Sequence, residues 1–379
     1  MVDSQEEIDA EFMVRALGLA RGSVGLASPN PQVGCVLVRD GVVVGEGAHV
    51  YDAFDHAEIV ALRDAKERGV DLAGATAYVT LEPCSHHGRT GPCADALIAA
   101  KVGRVVVSTV DPNPLVSGRG IERLRTAGVE VVVGVGEREA RELNDGFARF
   151  IRTGRPLVTL KAALSVDGML APPAAQRRVG QVHWLTSVAA REEVQRMRHG
   201  ADAVLTGIGT VLADDPLLTD RSGLARRRRL LRVVLDSQMR LPLDSQLVRS
   251  ADWDVLVFCG KDAAAERAAA LEAAGVEVER IAGEDGRLDL GAVLDVLGDR
   301  QVLGLLLECG AELNGAFLTA GLVDKVVLFY AETELGVTAV PFAVGVGSPF
   351  LLEQSMTGVT REKVGVDVRV SGVLREVWG

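Results

Sequence analysis

The 379-residue sequence predicts an α/β protein built as two domains. Two observations carry this. Strand-length apolar runs alternate with amphipathic helical stretches along the whole chain. That alternation breaks at Arg152-Thr153-Gly154-Arg155-Pro156 and restarts at Leu157, in a chain long enough for two cores. The boundary therefore falls after Ile151, with domains 1–151 and 152–379.

In order, Ile8 to Arg21 reads as an amphipathic helix. Val33 to Arg39 and Val42 to Glu46 flank Asp40-Gly41, a strong hairpin signal. A helix from His56 to Arg68 leads into the strand Thr76 to Leu81. A helix from Cys93 to Ala100, a strand Arg104 to Ser108, a helix near Ile121 to Ala127 and a strand Val129 to Val133 follow. Glu137 to Ile151 closes the series as a helix. This order predicts helices covering a partly parallel sheet, with a hairpin at one edge. The second half expects strands at Leu157 to Leu164, Ala203 to Thr206, Leu230 to Leu235, Val255 to Phe258, Val276 to Arg280, Val302 to Glu308 and Lys325 to Tyr330. Helices lie between them, notably Ala189 to His199, Ala263 to Ala274 and Leu313 to Ala320. No internal repeat is evident.

Composition narrows the function. Hydrophobic residues make up 48%, enough for a sizeable core, yet no apolar run approaches the ~18 residues of a membrane span. Net charge is −11 and the pI is about 5.2, the opposite of a nucleic-acid binder's balance. The one basic run, Arg226 to Arg229, reads as a solvated loop or as help with an anionic ligand. Met1 to Glu11 is acidic and lacks the order of a secretion signal. Cys35, Cys259 and Cys309 lie in or at the end of apolar runs and read as small buried side chains. Five cysteines with no regular framework argue against disulfides, so a cytoplasmic location is expected.

His56-Ala57-Glu58, Glu82-Pro83-Cys84 and Cys93 are the most informative residues. One imidazole and two thiolates make three zinc ligands and leave the fourth tetrahedral position for water. Glu58 stands ready to move that water's protons. This is the signature of a zinc deaminase, His-x-Glu followed by Pro-Cys and a second Cys. Here eight residues separate Cys84 from Cys93, so the insert must loop out and return. Pro92 suits a helix start, and a helix N-terminus would favour Cys93 as a thiolate. One tension remains: residues two apart on a helix diverge by ~200°. Glu58 reaches the metal water only if the site lies off the first turn. A structural zinc, completed by His86 or His87, and a metal-free site are the competing readings.

Pro29-Asn30-Pro31-x-Val33-Gly34, His56-Ala57-Glu58, Thr80 to Thr90 and Asp111-Pro112-Asn113-Pro114 together closely resemble the bifunctional deaminase/reductase family of riboflavin biosynthesis. The resemblance implies a cytidine-deaminase-like three-layer αβα domain followed by a dihydrofolate-reductase-like α/β domain. It implies Zn2+ and NADPH as cofactors and a phosphorylated pyrimidine as substrate, with no nucleic acid or membrane partner, in a homo-oligomer. By this likeness, Asn30 would hydrogen-bond the pyrimidine, His49 would line the pocket near the leaving amine, and Arg89 would hold the substrate phosphate. The physical chemistry agrees: an amide offers donor and acceptor together, and a guanidinium fork suits a phosphate.

The second half carries weaker signals. Lys161 to Gly168, Gly207 to Thr219, Val234 to Ser237 and Glu308 to Gly315 are each short motifs after apolar strands. Gly310 to Ala316 reads as a Gly-rich turn able to bind diphosphate, and it is not the Gly-x-Gly-x-x-Gly fingerprint, which disfavours a Rossmann domain. The resemblance assigns cofactor binding to Ala163, Trp184, Thr210, Asp214, Ser237 and Gly310, Ala311, Glu312, Leu313, Asn314, Gly315 and Ala316. It assigns substrate binding to Arg198, Leu218, Arg221 and Glu308, with Arg198 and Arg221 on the phosphate. Lys161 is expected near the reacting carbon. The chain departs from the family at Cys309, which suggests oxidation sensitivity, at Val182 and at Pro172-Pro173. A zinc deaminase of another nucleobase with a divergent second domain, and a catalytically silent zinc scaffold, are the alternative functions.

Overall fold

A computed structural model describes residues 4–85, 91–176 and 183–378. Contacts divide the chain into two units. The first runs through Thr153 and includes Ala225–Arg227 and Trp378, and the second comprises Gly154–Leu224 and Arg228–Val377.

In the first unit Ser4 caps Gln5–Gly22 (α1) through a reciprocal exchange with Glu7. The hairpin Gly34–Arg39 (β1) and Val42–Ala48 (β2) follows. Ala57–Glu67 (α2), Thr76–Val79 (β3), Cys93–Ala99 (α3), Arg104–Val107 (β4), Arg119–Thr126 (α4), Glu130–Val133 (β5) and Glu137–Thr153 (α5) complete it. The sheet order is β2-β1-β3-β4-β5. β1 pairs antiparallel with β2 and β3, while β3, β4 and β5 run parallel. Alternation along β1 makes the layers. Cys35 and Leu37 pack with Ala57 and Ala61 of α2, Leu97 of α3 and Leu124 of α4. Val36 and Val38 pack on the other face with Met13 and Leu17 of α1 and Ala140 of α5. The expected three-layer αβα arrangement with a hairpin edge is present.

The second unit contains Leu157–Leu164 (β6), Met169–Ala171 (β7), Val188–Gly200 (α6), Ala203–Gly207 (β8), Ile208–Asp214 (α7) and Leu231–Leu235 (β9). Gln246–Arg249 (α8), Val255–Gly260 (β10), Ala265–Ala273 (α9), Glu277–Ile281 (β11), Leu290–Asp299 (α10), Gly304–Leu307 (β12) and Ala311–Thr319 (α11) follow. Lys325–Tyr330 (β13), Val340–Pro341 (β14), Pro349–Ser355 (α12), Thr357–Val364 (β15) and Asp367–Val373 (β16) end the chain. Nine strands form one sheet in the order β11-β10-β9-β8-β12-β6-β13-β16-β15. The first seven run parallel, so their carboxyl ends share one edge, where ligands of open α/β sheets bind.

Several elements were not visible as patterns. β15 is solvent-exposed along nearly its whole length, so it carries no hydrophobic alternation. α10 is apolar around most of its circumference and is marked chiefly by its cap, Asp289, which accepts from the amides of Gly291 and Ala292. The segment Gly310 to Ala316 is also not a turn. Gly310 is the N-cap of α11, and the residues after it are helical.

Candidate active sites

The zinc site is assembled by close packing of α2 on β2. A Cβ at Gly47 would lie 2.3 Å from the Ala57 carbonyl, so only glycine permits this approach. The α2 face is correspondingly lined with Ala57, Ala61 and Ala65, all buried. His56 is the N-cap of α2 and is extended (φ −73°, ψ 159°), whereas Glu58 sits in the first turn. The ~200° divergence expected within a helix therefore does not apply between them. The tension in the sequence reading is resolved by the backbone of one residue.

Cys84 follows β3, and Cys93 opens α3 behind Pro92. The His56 Nδ1 lies 3.5 Å from the Cys84 Sγ and 3.2 Å from the Cys93 Sγ. Ideal tetrahedral zinc with these donors would separate N and S by roughly 3.6 Å, so the three atoms already stand near a ligand triangle. They are the one such cluster among the described residues. His86, His87 and Arg89 lie outside the described residues, so neither histidine nor the arginine is placed.

The electrostatics refine the expectation for the thiols. The Cys93 amide, at the start of α3, donates to the Cys84 sulfur at 3.2 Å. Hydrogen bonds from the Cys93 thiol and from His56 pull Cys84 down to about 4. Cys93 is raised, chiefly because it donates to Cys84. The amide at the start of α3 thus reaches the Cys84 sulfur as well as carrying Cys93. Glu58 is buried and beside Cys93, and burial lifts its carboxyl to about 7 against the lowering influence of His56. A carboxyl near neutrality is suited to take and return protons.

Asn30 and His49 come together at this site. The Asn30 amide nitrogen is 3.0 Å from His49 Nε2, and His49 Nδ1 is 2.9 Å from the Asp55 carbonyl. An amide and a carbonyl on opposite nitrogens specify a neutral ring with the proton on Nδ1. Burial lowers the His49 pKa, which supports the same form. The ring packs edge-on to His56, with centroids 5.6 Å apart. Sequence reasoning missed Glu82. It is buried, and its carboxylate accepts from the amides of Asp111, Gly118, Gly120 and Ile121 at 2.7 to 3.3 Å. It ties the Cys84 segment to the Asp111-Pro112-Asn113-Pro114 loop and to the start of α4. The signal was present as two motifs, but nothing in their spacing showed that one caps the other.

In the second unit Lys161, Arg198 and Glu308 meet at the carboxyl ends of β6 and β12. Arg198 donates to both Glu308 oxygens, at 2.6 and 3.1 Å, and Lys161 Nζ lies 3.7 Å from Oε2. Burial pushes Glu308 up, but Arg198 and Lys161 outweigh it and hold the carboxyl low. Burial lowers Lys161. Arg198 also donates to the Thr219 carbonyl, whereas the side chain of Arg221 is exposed. Leu218 is buried in an apolar cluster with its backbone at φ 53°.

Thr210 of α7 approaches Gly310, 3.7 Å from where a Cβ would stand. Ala163 lies on β6, Asp214 ends α7 and Ser237 follows β9. Trp184 is exposed, with the Arg191 guanidinium 4.9 Å from its ring centre. Within α11, Asn314 is buried and donates to the Phe342 carbonyl, while Gly315 packs against the Val344 carbonyl. The open part of this segment is its start, at Gly310, Glu312 and the neighbouring backbone, with Leu313 in the core margin and Ala316 further along the helix. Cys309 is half-buried, burial pushes its thiol well above the ordinary value, and it donates to the Leu205 carbonyl. Val182 lies outside the described residues. In the basic run, Arg228 and Arg229 pair with Asp202 and Asp252.

Residues 6–109 match the model for the cytidine and deoxycytidylate deaminase zinc-binding region, and residues 156–364 match the RibD C-terminal domain. The chain is 43% identical over 339 residues to riboflavin biosynthesis protein RibD of Escherichia coli (strain K12), covering 86% of this chain and 89% of that protein. It is 36% identical over 371 residues to RibD of Bacillus amyloliquefaciens, covering 96% of both. Among solved structures, Acinetobacter baumannii RibD is 37% identical with a TM-score of 0.82, covering 98% of this chain and 100% of that one. The diaminohydroxyphosphoribosylaminopyrimidine deaminase/5-amino-6-(5-phosphoribosylamino)uracil reductase of Thermotoga maritima is 33% identical with a TM-score of 0.80, covering 97% and 99%.

Proposed function

The chain belongs to the RibD family of bifunctional riboflavin-biosynthesis enzymes, and we propose how its residues divide the two reactions. It is a zinc-dependent deaminase and an NADPH-dependent reductase. The first reaction converts 2,5-diamino-6-(5-phosphoribosylamino)pyrimidin-4(3H)-one to 5-amino-6-(5-phosphoribosylamino)uracil, and the second reduces the ribosyl side chain to ribityl. In this reading residues 1–151 carry deamination and 152–379 carry reduction.

His56, Cys84 and Cys93 would hold the zinc, which would supply a water of lowered pKa, about 7, as the nucleophile. Glu58 takes the water proton and returns it to the ring nitrogen and the departing ammonia. A C–O bond forms at the ring carbon as the C–N bond breaks. Asn30, with its amide nitrogen turned to His49, presents its oxygen to the pyrimidine. His49 lies beside the leaving amine, and Arg89 takes the phosphate. The observation that carries this is the His56, Cys84 and Cys93 triangle with buried Glu58 against it.

For the second reaction NADPH supplies the hydride. Lys161, held beside Glu308, lies near the reacting carbon. The commitment of Arg198 to Glu308 makes Arg221 the better partner for the substrate phosphate. Ala163, Trp184, Thr210, Asp214, Ser237 and the start of α11 line the cofactor. The −11 charge supports a small-molecule substrate rather than nucleic acid. No described helix is long and apolar enough to cross a membrane. We place the enzyme in the cytoplasm as a homo-oligomer; β15, an unpaired edge of the large sheet, is a surface that a second copy can extend.

The test is a coupled assay on the diaminopyrimidine substrate. Ammonia release should stop on chelation and return with zinc. NADPH oxidation by chelated enzyme should persist when the deaminated intermediate is supplied. Chelator-resistant ammonia release would overturn the deaminase assignment.

A further inference from the structure

Asn144 lies on α5, on the face of the first unit's sheet away from α2 and α3. It is buried, and its carboxamide grips the backbone of Gln32, 112 residues away in sequence. Its Oδ1 accepts from the Gln32 amide at 2.8 Å, and its Nδ2 donates to the Gln32 carbonyl at 3.0 Å. We infer that Asn144 is a positioning residue for deamination, acting through Asn30. The inference rests on the reading that Asn30 contacts the pyrimidine.

The clasp has one orientation. Asn144 Nδ2 also donates to the Ala140 carbonyl, one turn earlier in α5, at 3.2 Å. Both amide hydrogens and the amide oxygen are therefore engaged. One side chain thus exchanges with Gln32 the two bonds that a neighbouring strand would give, just before the chain enters β1 at Gly34. The Gln32 side-chain oxygen is itself buried without a partner among the described residues, so the backbone is what is held.

The grip reaches Asn30 through a stiff link. Only Pro31 stands between Gln32 and Asn30, and its ring locks φ near −65°. A residue before proline is itself steered to extended conformations. On its other side, Asn30 donates its amide to the Ala27 carbonyl at 2.9 Å. With so few soft dihedrals left, the direction of the Asn30 side chain follows the placement of Gln32. That direction sets its amide nitrogen 3.0 Å from His49 Nε2 and leaves its oxygen for the ring. A misplacement of ~1 Å in such a group can cost about 10²-fold in rate.

The test is a double-mutant cycle in the full-length, zinc-loaded enzyme: wild type, Asn144→Ala, Asn30→Ala and the double variant. Ammonia release, zinc content and NADPH oxidation with the deaminated intermediate are measured for each. Asn144→Ala should lower kcat/KM for ammonia release about 10- to 100-fold, with zinc content and NADPH oxidation unchanged. In the Asn30→Ala background the same change should cost about 3-fold or less, because the group it positions is gone. Asn144→Asp keeps the size and the acceptor but sets a second acceptor against the Gln32 carbonyl. It should lose as much, and it replaces the alanine in the cycle if Asn144→Ala does not fold. Unimpaired deamination by the Asn144 variants, or losses that multiply in full in the double variant, would overturn the inference. Wild-type deamination by Asn30→Ala would instead overturn the reading of Asn30 on which it rests.

Discussion

Each unit is organised around a glutamate largely withdrawn from solvent, and the two are shifted in opposite directions. Glu58 sits among a histidine and two cysteines, and burial lifts its carboxyl to about 7. Glu308 is mostly buried, but Arg198 and Lys161 hold its carboxyl low. The difference teaches how each site is completed. The first surrounds its carboxyl with metal ligands and leaves it free to exchange protons. The second neutralises its carboxyl with two cations of its own chain, so its charge is preorganised without a metal.

The comparison breaks most sharply at Glu58. Glu58→Gln should cost about 10²- to 10⁴-fold in ammonia release. Its zinc content and its NADPH oxidation with the deaminated intermediate should match wild type. Metal analysis beside both assays checks this, and retained deamination would remove Glu58 from the proton path.

The corresponding change in the second unit should read out as stability. Glu308→Ala leaves the buried Arg198 and the mostly buried Lys161 without their carboxylate, a loss of about 3–5 kcal/mol. Calorimetry should show the melting of that unit falling by roughly 6–20 °C. Unchanged melting would mean that the cluster contributes function only.

Packing around the zinc comes next. Gly47→Ala forces a methyl against the Ala57 carbonyl and should cost about 1–3 kcal/mol. Because His56 and Glu58 ride on that helix start, zinc affinity should fall as well. Normal zinc affinity in a destabilised protein would separate the packing from the site.

The smallest effect concerns acid. Glu308 has a folded-state pKa below its unfolded value of 4.5. Its ionic contribution is therefore present above 4.5 and is lost as pH falls through the lowered folded value. The stability gap between wild type and Glu308→Gln should narrow in that window. A gap independent of pH would show that shape, not charge, holds the cluster.

The first site was the more legible. His56, Glu58, Cys84 and Cys93 are rare side-chain types at short spacing, and zinc chemistry demands them. The alternation of Cys35 with Val36 and of Leu37 with Val38 likewise marks a two-faced strand in the sequence itself. In the second unit the cofactor carries the chemistry, so the chain supplies backbone and shape. Thr210, Ser237 and Gly310 are unremarkable as letters, and β15 and α10 lack the periodicity that announces an element.

Residue chemistry and local periodicity alone thus marked the α/β class, the candidate zinc ligands and the deaminase signature, because each is a property of nearby letters. Tertiary structure decided the rest. It set His56 as the extended N-cap of the helix that Glu58 enters and aimed the Cys93 amide at the Cys84 sulfur. It committed Arg198 to Glu308, clasped four backbone amides with Glu82, and set Asn144 on the backbone of Gln32. These depend on which distant backbone atoms come within hydrogen-bonding reach, and long-range packing sets that reach.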